Sequence, residues 1–247
     1  MKTFLAIAAV VLAASPAFAE PLVFESGEAP AALIELFSSE GCSSCPPAEA
    51  WISGLKARPD LWKSVVPVVF HVDYWDNLGW PDRFASRAFT ERQSRYASAG
   101  RVESIYTPGF VVNGHEWRGW FDHQPLLAVN SAKVGKLRVT VRDNHRVDIV
   151  FTPVGAVPKP AGVQVALLGG GLASDVRSGE NSGRRLAHDF VVLHLATAAP
   201  ASEGNRLTAT IVLPEKPIAP PNALAAWITN GDGQTPVQVT GGWLKNP

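Results

Sequence analysis

Between residues 31 and 72 the chain carries two continuous apolar runs with a helical stripe between them. Ala31 to Phe37, Ala-Ala-Leu-Ile-Glu-Leu-Phe, is bounded by Ser38-Ser39-Glu40-Gly41 and predicts a buried strand that ends in a tight loop. From Pro47 to Arg58, Ala48, Trp51, Ile52 and Leu55 recur at helical spacing, and Pro59-Asp60 supplies a stop. Val65 to Val72 is the second apolar run; following a helix, it predicts a parallel neighbour of the first strand. Beyond the aromatic loop Asp73 to Pro81, Ser86 to Ala99 predicts a polar helix closed by Gly100. Asn113-Gly114, between the strand-like runs Ile105–Val112 and His115–Trp120, predicts a type I′ hairpin, and Phe121 to Ala132 a closing helix with Leu126, Leu127 and Val129 inward.

The texture changes past Val134. Short segments, Leu137–Val141, Val147–Phe151, Val163–Leu168, Phe190–Leu195, Leu207–Leu213, Ala225–Thr229 and Pro236–Thr240, are separated by turn residues. They predict a small antiparallel β sandwich or sheet. The start of the chain differs again: Met1-Lys2, an apolar run from Phe4 to Ala14, and Ala17-Phe18-Ala19 read as a secretory leader cleaved after Ala19. The expected organisation is therefore a leader over 1–19, an α/β unit over 20–133 and a β-rich unit over 134–247. The expected address is periplasmic or secreted, with no membrane span once the leader is removed. The 22 Lys and Arg balance the 22 Asp and Glu, with no long run of one sign, so no nucleic-acid partner is indicated.

The chain has 2 cysteines, Cys42 and Cys45, directly after the first predicted strand. A disulfide stabilises chiefly by closing a long loop, so this small ring is a poor staple. A four-cysteine zinc site would need a second pair. What remains is thiol chemistry: Cys42, near a helix N-terminus, is placed to act as a thiolate nucleophile. Cys45 follows one turn later and is placed to resolve a mixed disulfide. A Thr107-Pro108 step enters a later strand, where proline is tolerated at an edge or turn.

Strand, Cys-Ser-Ser-Cys, helix, strand and Thr107-Pro108 together resemble the thioredoxin superfamily. The wider set Leu33–Phe37, Glu40–Ala48, His71–Asp76, Leu78-Gly79-Trp80, Tyr106-Thr107-Pro108 and Gly179–Arg184 is similar to the predicted secreted proteins called domain of unknown function 1223. The resemblance implies an α/β fold with a thioredoxin-like N-terminal half followed by a small antiparallel β sandwich or sheet. It implies thiol–disulfide exchange by Cys42 and Cys45, with Pro108 against the cysteines and Thr107 beside a substrate edge. A partner would be a thiol- or disulfide-bearing protein or a small thiol, and the exchange requires no cofactor. Glu35 is either a buried acid assisting proton transfer or an edge carboxylate. Tyr74, Trp75 and Trp80 either line a substrate groove or cover the sheet. Glu180, Asn181, Arg184 and Arg185 either reach over the cysteines or form a solvated loop.

Two other readings stand beside exchange. His71 with Cys42 and Cys45 would make a soft copper site of the kind found in exported copper-handling thioredoxin relatives, against which stands a plain hydrogen-bonded histidine at a strand end. Alternatively the disulfide is inert and the β-rich half binds a partner. Gly169-Gly170-Gly171 lacks the lysine and serine of a phosphate-binding loop.

Overall fold

The computed structural model describes residues 20–126, 132–142, 145–155, 162–231 and 233–244; the expected leader lies outside them. After a short edge strand β1, Leu22–Glu25, strand β2, Ala32–Ser38, is buried at every position. The helix α1 spans Cys45–Gly54, runs into a 3-10 turn at Leu55–Ala57, and leads to β3, Val65–His71, again buried throughout. Pro46 and Pro47 occupy the first turn of α1, where backbone N–H groups have no intrahelical partner in any case, so they initiate the helix rather than break it. β2 and β3 pair in parallel from Ala32 opposite Val65 to Ser38 opposite His71. Helix α2, Arg87–Ser98, starts on Ser86, whose side chain accepts from the Ala88 N–H.

β4, Gly109–Val112, and β5, His115–Glu116, form the expected hairpin, with Asn113 at φ 51° and Gly114 at φ 82°, the positive values a type I′ turn needs. Within the expected closing helix, residues 121–123 form a turn, 124–126 hold no regular structure, and 127–131 lie outside the described residues.

Ten strands follow. In order they are β6 Gly135–Val141, β7 Arg146–Pro153, β8 Gly162–Gly169, β9 Leu172–Asp175, β10 Arg185–His188, β11 Val191–Ala198, β12 Ala201–Glu203, β13 Arg206–Val212, β14 Ala223–Thr229 and β15 Pro236–Trp243. They do not stay together. β8, β11, β14 and β15 join β2 to β5 in one eight-stranded sheet of order β15-β14-β8-β11-β3-β2-β4-β5, while β1, β6, β7, β13 and β12 make a five-stranded sheet.

The α/β expectation, a thioredoxin-like half with a separate small sandwich, is thus corrected. The protein is mostly β, with α1 and α2 as the α-helices among the described residues and large sheets that span both parts of the chain. The reason lies in β3. Its outer edge is an apolar, fully buried run that cannot face water, and β11 fills it in parallel, with the Val69 N–H donating to Phe190 O over 2.8 Å. Strands from before residue 133 and from after it thus share the eight-stranded sheet.

Alternation along the strands gives the large sheet two different covers. On one face Leu33, Phe37, Val66, Phe70, Ala225 and Trp227 pack beneath Phe89 and Tyr96 of α2. On the other, Ile34, Leu36 and Val69 meet Ala48 and Ile52 of α1, and further along Val165, Leu224 and Ile228 meet Val139, Ile149 and Phe151 of the five-stranded sheet. Ser38, at the end of β2, sits on the α1 side with the cysteines; Glu35 does not.

Candidate active site

The loop from β2 to α1 delivers Cys42 just before the helix and Cys45 as its first residue, and both are buried beside the exposed Ser43 and Ser44. The backbone at Gly41 approaches Trp75 closely, a Cβ there lying 3.0 Å from the Cβ of Trp75. Cys42 Sγ lies 3.3 Å from Ser44 Oγ and 3.7 Å from the carbonyl of Thr107. A hydrogen bond from Cys45, against the opposing effect of burial, lowers the Cys42 thiol to about 6; the Ser44 hydroxyl contributes further. Cys45 is pushed the other way, chiefly by burial and then by its neighbour Cys42. One thiol is held as an anion and the other as a proton carrier.

The residues expected around the cysteines are distributed as follows. Thr107 precedes a cis peptide to the buried Pro108, and its hydroxyl accepts from Trp75 Nε1 at 2.8 Å. Tyr74 donates to Gln93 Oε1 at 3.3 Å, Gln93 Nε2 donates to the Tyr106 carbonyl at 2.7 Å, and burial raises the Tyr74 hydroxyl well above its usual range. Tyr74 and Trp75 also pack on the α2-side core. Trp80 Nε1 donates to Glu40 Oε2 at 2.7 Å.

Glu35 is a correction. It is fully buried, but on the α2 face, where Arg92 Nε donates to it at 2.7 Å, Arg92 Nη2 makes a second, shorter contact, and the Tyr96 hydroxyl donates at 2.5 Å. Alternation sends Ile34 and Leu36 toward α1 and Glu35 away from it, so its carboxylate is a structural partner of Arg92. His71 is not turned to the thiols either. Its Nδ1 is bonded to Asp82 Oδ2 at 2.6 Å and its Nε2 faces Glu49 Oε1 at 4.0 Å, so the soft copper set of Cys42, Cys45 and His71 is not assembled.

Residues remote in sequence complete the site. Asn181, buried in the loop between β9 and β10, donates through Nδ2 to the carbonyls of Glu40 at 2.8 Å and Cys42 at 3.0 Å. Arg184 orients it by donating to Asn181 Oδ1 at 2.7 Å, and Glu180 Oε2 accepts from the Ser43 N–H at 3.0 Å. Of the loop residues for which reaching over the cysteines stood against a solvated loop, Glu180 and Asn181 reach over directly, Arg184 does so through Asn181, and Arg185 instead pairs with Asp175.

Behind Cys45, Ser38 donates to Glu49 Oε1 at 2.5 Å, and Glu49 Oε2 bonds His188 Nδ1. His188 Nε2 lies 3.2 Å from Glu40 Oε1. Burial works against a charged imidazole there, but Glu40 and Glu49 prevail and raise His188 to about 10. Glu49 had a signal in the sequence: Cys45, Ala48, Glu49 and Ile52 form the buried stripe of α1 at i, i+3, i+4 and i+7. Asp82 and His188 had none, because folding alone brings them together.

A buried dithiol at a helix start, clamped by a distant loop and backed by carboxylates and imidazoles, defines the site. The chain belongs to the family described as protein of unknown function DUF1223, whose model matches residues 33–229. It is similar to a crystal structure of the Agrobacterium tumefaciens protein AGR_C_4864, with 27% identity, a TM-score of 0.60, and coverage of 87% of this chain and 95% of that one. It is similar in fold alone to HBP35 of Porphyromonas gingivalis, with 11% identity, a TM-score of 0.54, and coverage of 88% of this chain and 76% of that one. No curated protein matches it.

Proposed function

We propose that the protein performs thiol–disulfide exchange through Cys42 and Cys45. The observation that carries this reading is two free, buried thiols at the start of α1, with Cys42 Sγ 3.3 Å from Ser44 Oγ and 3.7 Å from the Thr107 carbonyl. Cys42 is stabilised as thiolate by Cys45 and Ser44, while Cys45 is held protonated. The Cys42 thiolate attacks one sulfur of a partner disulfide, forming a mixed disulfide and expelling the other sulfur as a thiolate. Cys45 then loses its proton and attacks the Cys42 sulfur, releasing the second partner thiol. The protein's dithiol is thereby oxidised by two electrons and the partner's disulfide reduced to two thiols; the reverse sequence transfers a disulfide outward.

The carbonyl of Thr107 beside Cys42 and the indole of Trp75 on its hydroxyl suit Thr107 and Trp75 to the partner-facing side. An exported, oxidising setting and a thiol-bearing protein or small-thiol partner belong to the same proposal.

The test is the reduction potential of the Cys42–Cys45 pair, equilibrated against glutathione buffers. A value between roughly −120 and −270 mV is expected, the range of exchange catalysts. A value below about −300 mV would make the pair an inert structural disulfide and overturn the proposal.

A further inference from the structure

Behind the dithiol, two histidines and a carboxylate from three separate elements converge in the interior. Glu49 comes from α1, His71 from the end of β3 and His188 from the end of β10, all buried, with a ligand atom of each within 4.8 Å of the others. The outer nitrogen of each imidazole is engaged by a carboxylate that is not itself a candidate ligand: His71 Nδ1 by Asp82 at 2.6 Å, and His188 Nε2 by Glu40 at 3.2 Å. That engagement fixes each ring and makes the opposite nitrogen more basic. The opposite nitrogens both face Glu49: His71 Nε2, buried without a hydrogen-bond partner, stands 4.0 Å from Oε1, and His188 Nδ1 contacts Oε2. A fully buried imidazole nitrogen left without a partner, as at His71 Nε2, is unusual, because it forfeits the hydrogen bond it would have in water.

We propose that Glu49, His71 and His188 bind a first-row divalent metal ion of the zinc type. Two imidazoles and one carboxylate are a donor set suited to such an ion and leave a coordination position open. Bonds of about 2.0–2.2 Å place tetrahedral ligand atoms roughly 3.3–3.5 Å apart. The 4.0 Å between His71 Nε2 and Glu49 Oε1 therefore closes with small side-chain movements.

Charge fits as well. Glu40, Glu49 and Asp82 bring three negative charges to the pair of imidazoles. One divalent ion on two neutral imidazoles leaves the same net charge as two protons on them.

An entry path exists: a cleft of about 370 Å³ is lined by Glu49 and His188 and opens between α1 and β10. The two arginines at its rim are already paired, Arg184 with Asn181 and Arg185 with Asp175, which reduces their repulsion of an entering cation. The site uses neither cysteine and does not depend on the exchange reading.

The experiment is titration of the chelator-stripped full chain with Zn²⁺ in competition with a chromophoric chelator, and with Co²⁺ followed by absorption. One equivalent should bind, with cobalt ligand-field bands and no thiolate charge-transfer band, and the Cys42→Ser/Cys45→Ser double variant should behave as wild type. Asp82→Asn, which removes the carboxylate behind His71, should weaken binding on the order of 10–100-fold; His71→Ala should abolish it. No stoichiometric binding by wild type would overturn the proposal, as would a cobalt spectrum dominated by thiolate charge transfer. The spectra of wild type and the cysteine variant decide the question even where a histidine variant fails to fold.

Discussion

The asymmetry between the two thiols has a consequence that can be worked through quantitatively. With Cys42 lowered to about 6, about nine-tenths of it is thiolate at pH 7, against about 3% for a free cysteine near 8.5. That roughly 30-fold gain is mostly offset, because a thiolate of lower basicity is a weaker nucleophile; with a Brønsted slope of about 0.45, a shift of about 2.5 units costs about 13-fold. The net advantage at pH 7 is only about twofold. At pH 5 the thiolate ratio rises to almost 300 while the nucleophilic loss is unchanged, so the advantage grows to about 20-fold.

The informative assay is therefore a pH profile of Cys42 carbamidomethylation in the reduced chain, read by mass spectrometry. Burial of Cys42 scales every rate alike and leaves the midpoint where it is. The rate should rise with pH through a midpoint near 6. In Cys45→Ala, which removes the thiol that hydrogen-bonds Cys42, the midpoint should move up. A wild-type midpoint near 8.5, or one that Cys45→Ala leaves in place, would refute the reasoning.

Arg92→Leu strands the buried Glu35 carboxylate and should cost about 3–5 kcal/mol in urea unfolding, much of it recovered in Glu35→Leu/Arg92→Leu. Glu35→Gln should leave the Cys42 midpoint unmoved; a shift would restore Glu35 as a proton-transfer residue. Asn181→Ala leaves the carbonyls of Glu40 and Cys42 without their side-chain donor, and is expected to lower stability by about 1–3 kcal/mol and to speed Cys42 modification at every pH. Gly114→Ala, at φ 82° with the Gln234 carbonyl 3.0 Å from the added Cβ, should destabilise by about 1–2 kcal/mol; a neutral result would mean the hairpin relaxes.

The primary structure determined what depends on neighbours along the chain. Apolar runs set β2 and β3, turn chemistry set the Asn113-Gly114 hairpin, and adjacency set the Cys42–Cys45 pair at the head of a proline-initiated helix. Every short segment expected beyond Val134 is a strand as well. What it did not determine is which strands share a sheet, since an apolar run records that both faces are covered but not by what. The outer edge of β3 is closed by β11, more than a hundred residues later, and that pairing brings strands of the expected α/β half and of the expected sandwich into one eight-stranded mixed sheet.

The side-chain environment followed the same division. Glu35 looked eligible from its place before the cysteines, yet the period of two along β2 turned it toward Arg92. Glu49 was legible on the buried stripe of α1, whereas Asn181, His188 and Asp82 reach the cysteine loop and its backing cluster only because β10 packs on α1 and the loop after β3 folds back. Only the tertiary structure could decide this, because hydrogen bonds and ion pairs form between groups brought close in space, whatever the length of chain between them.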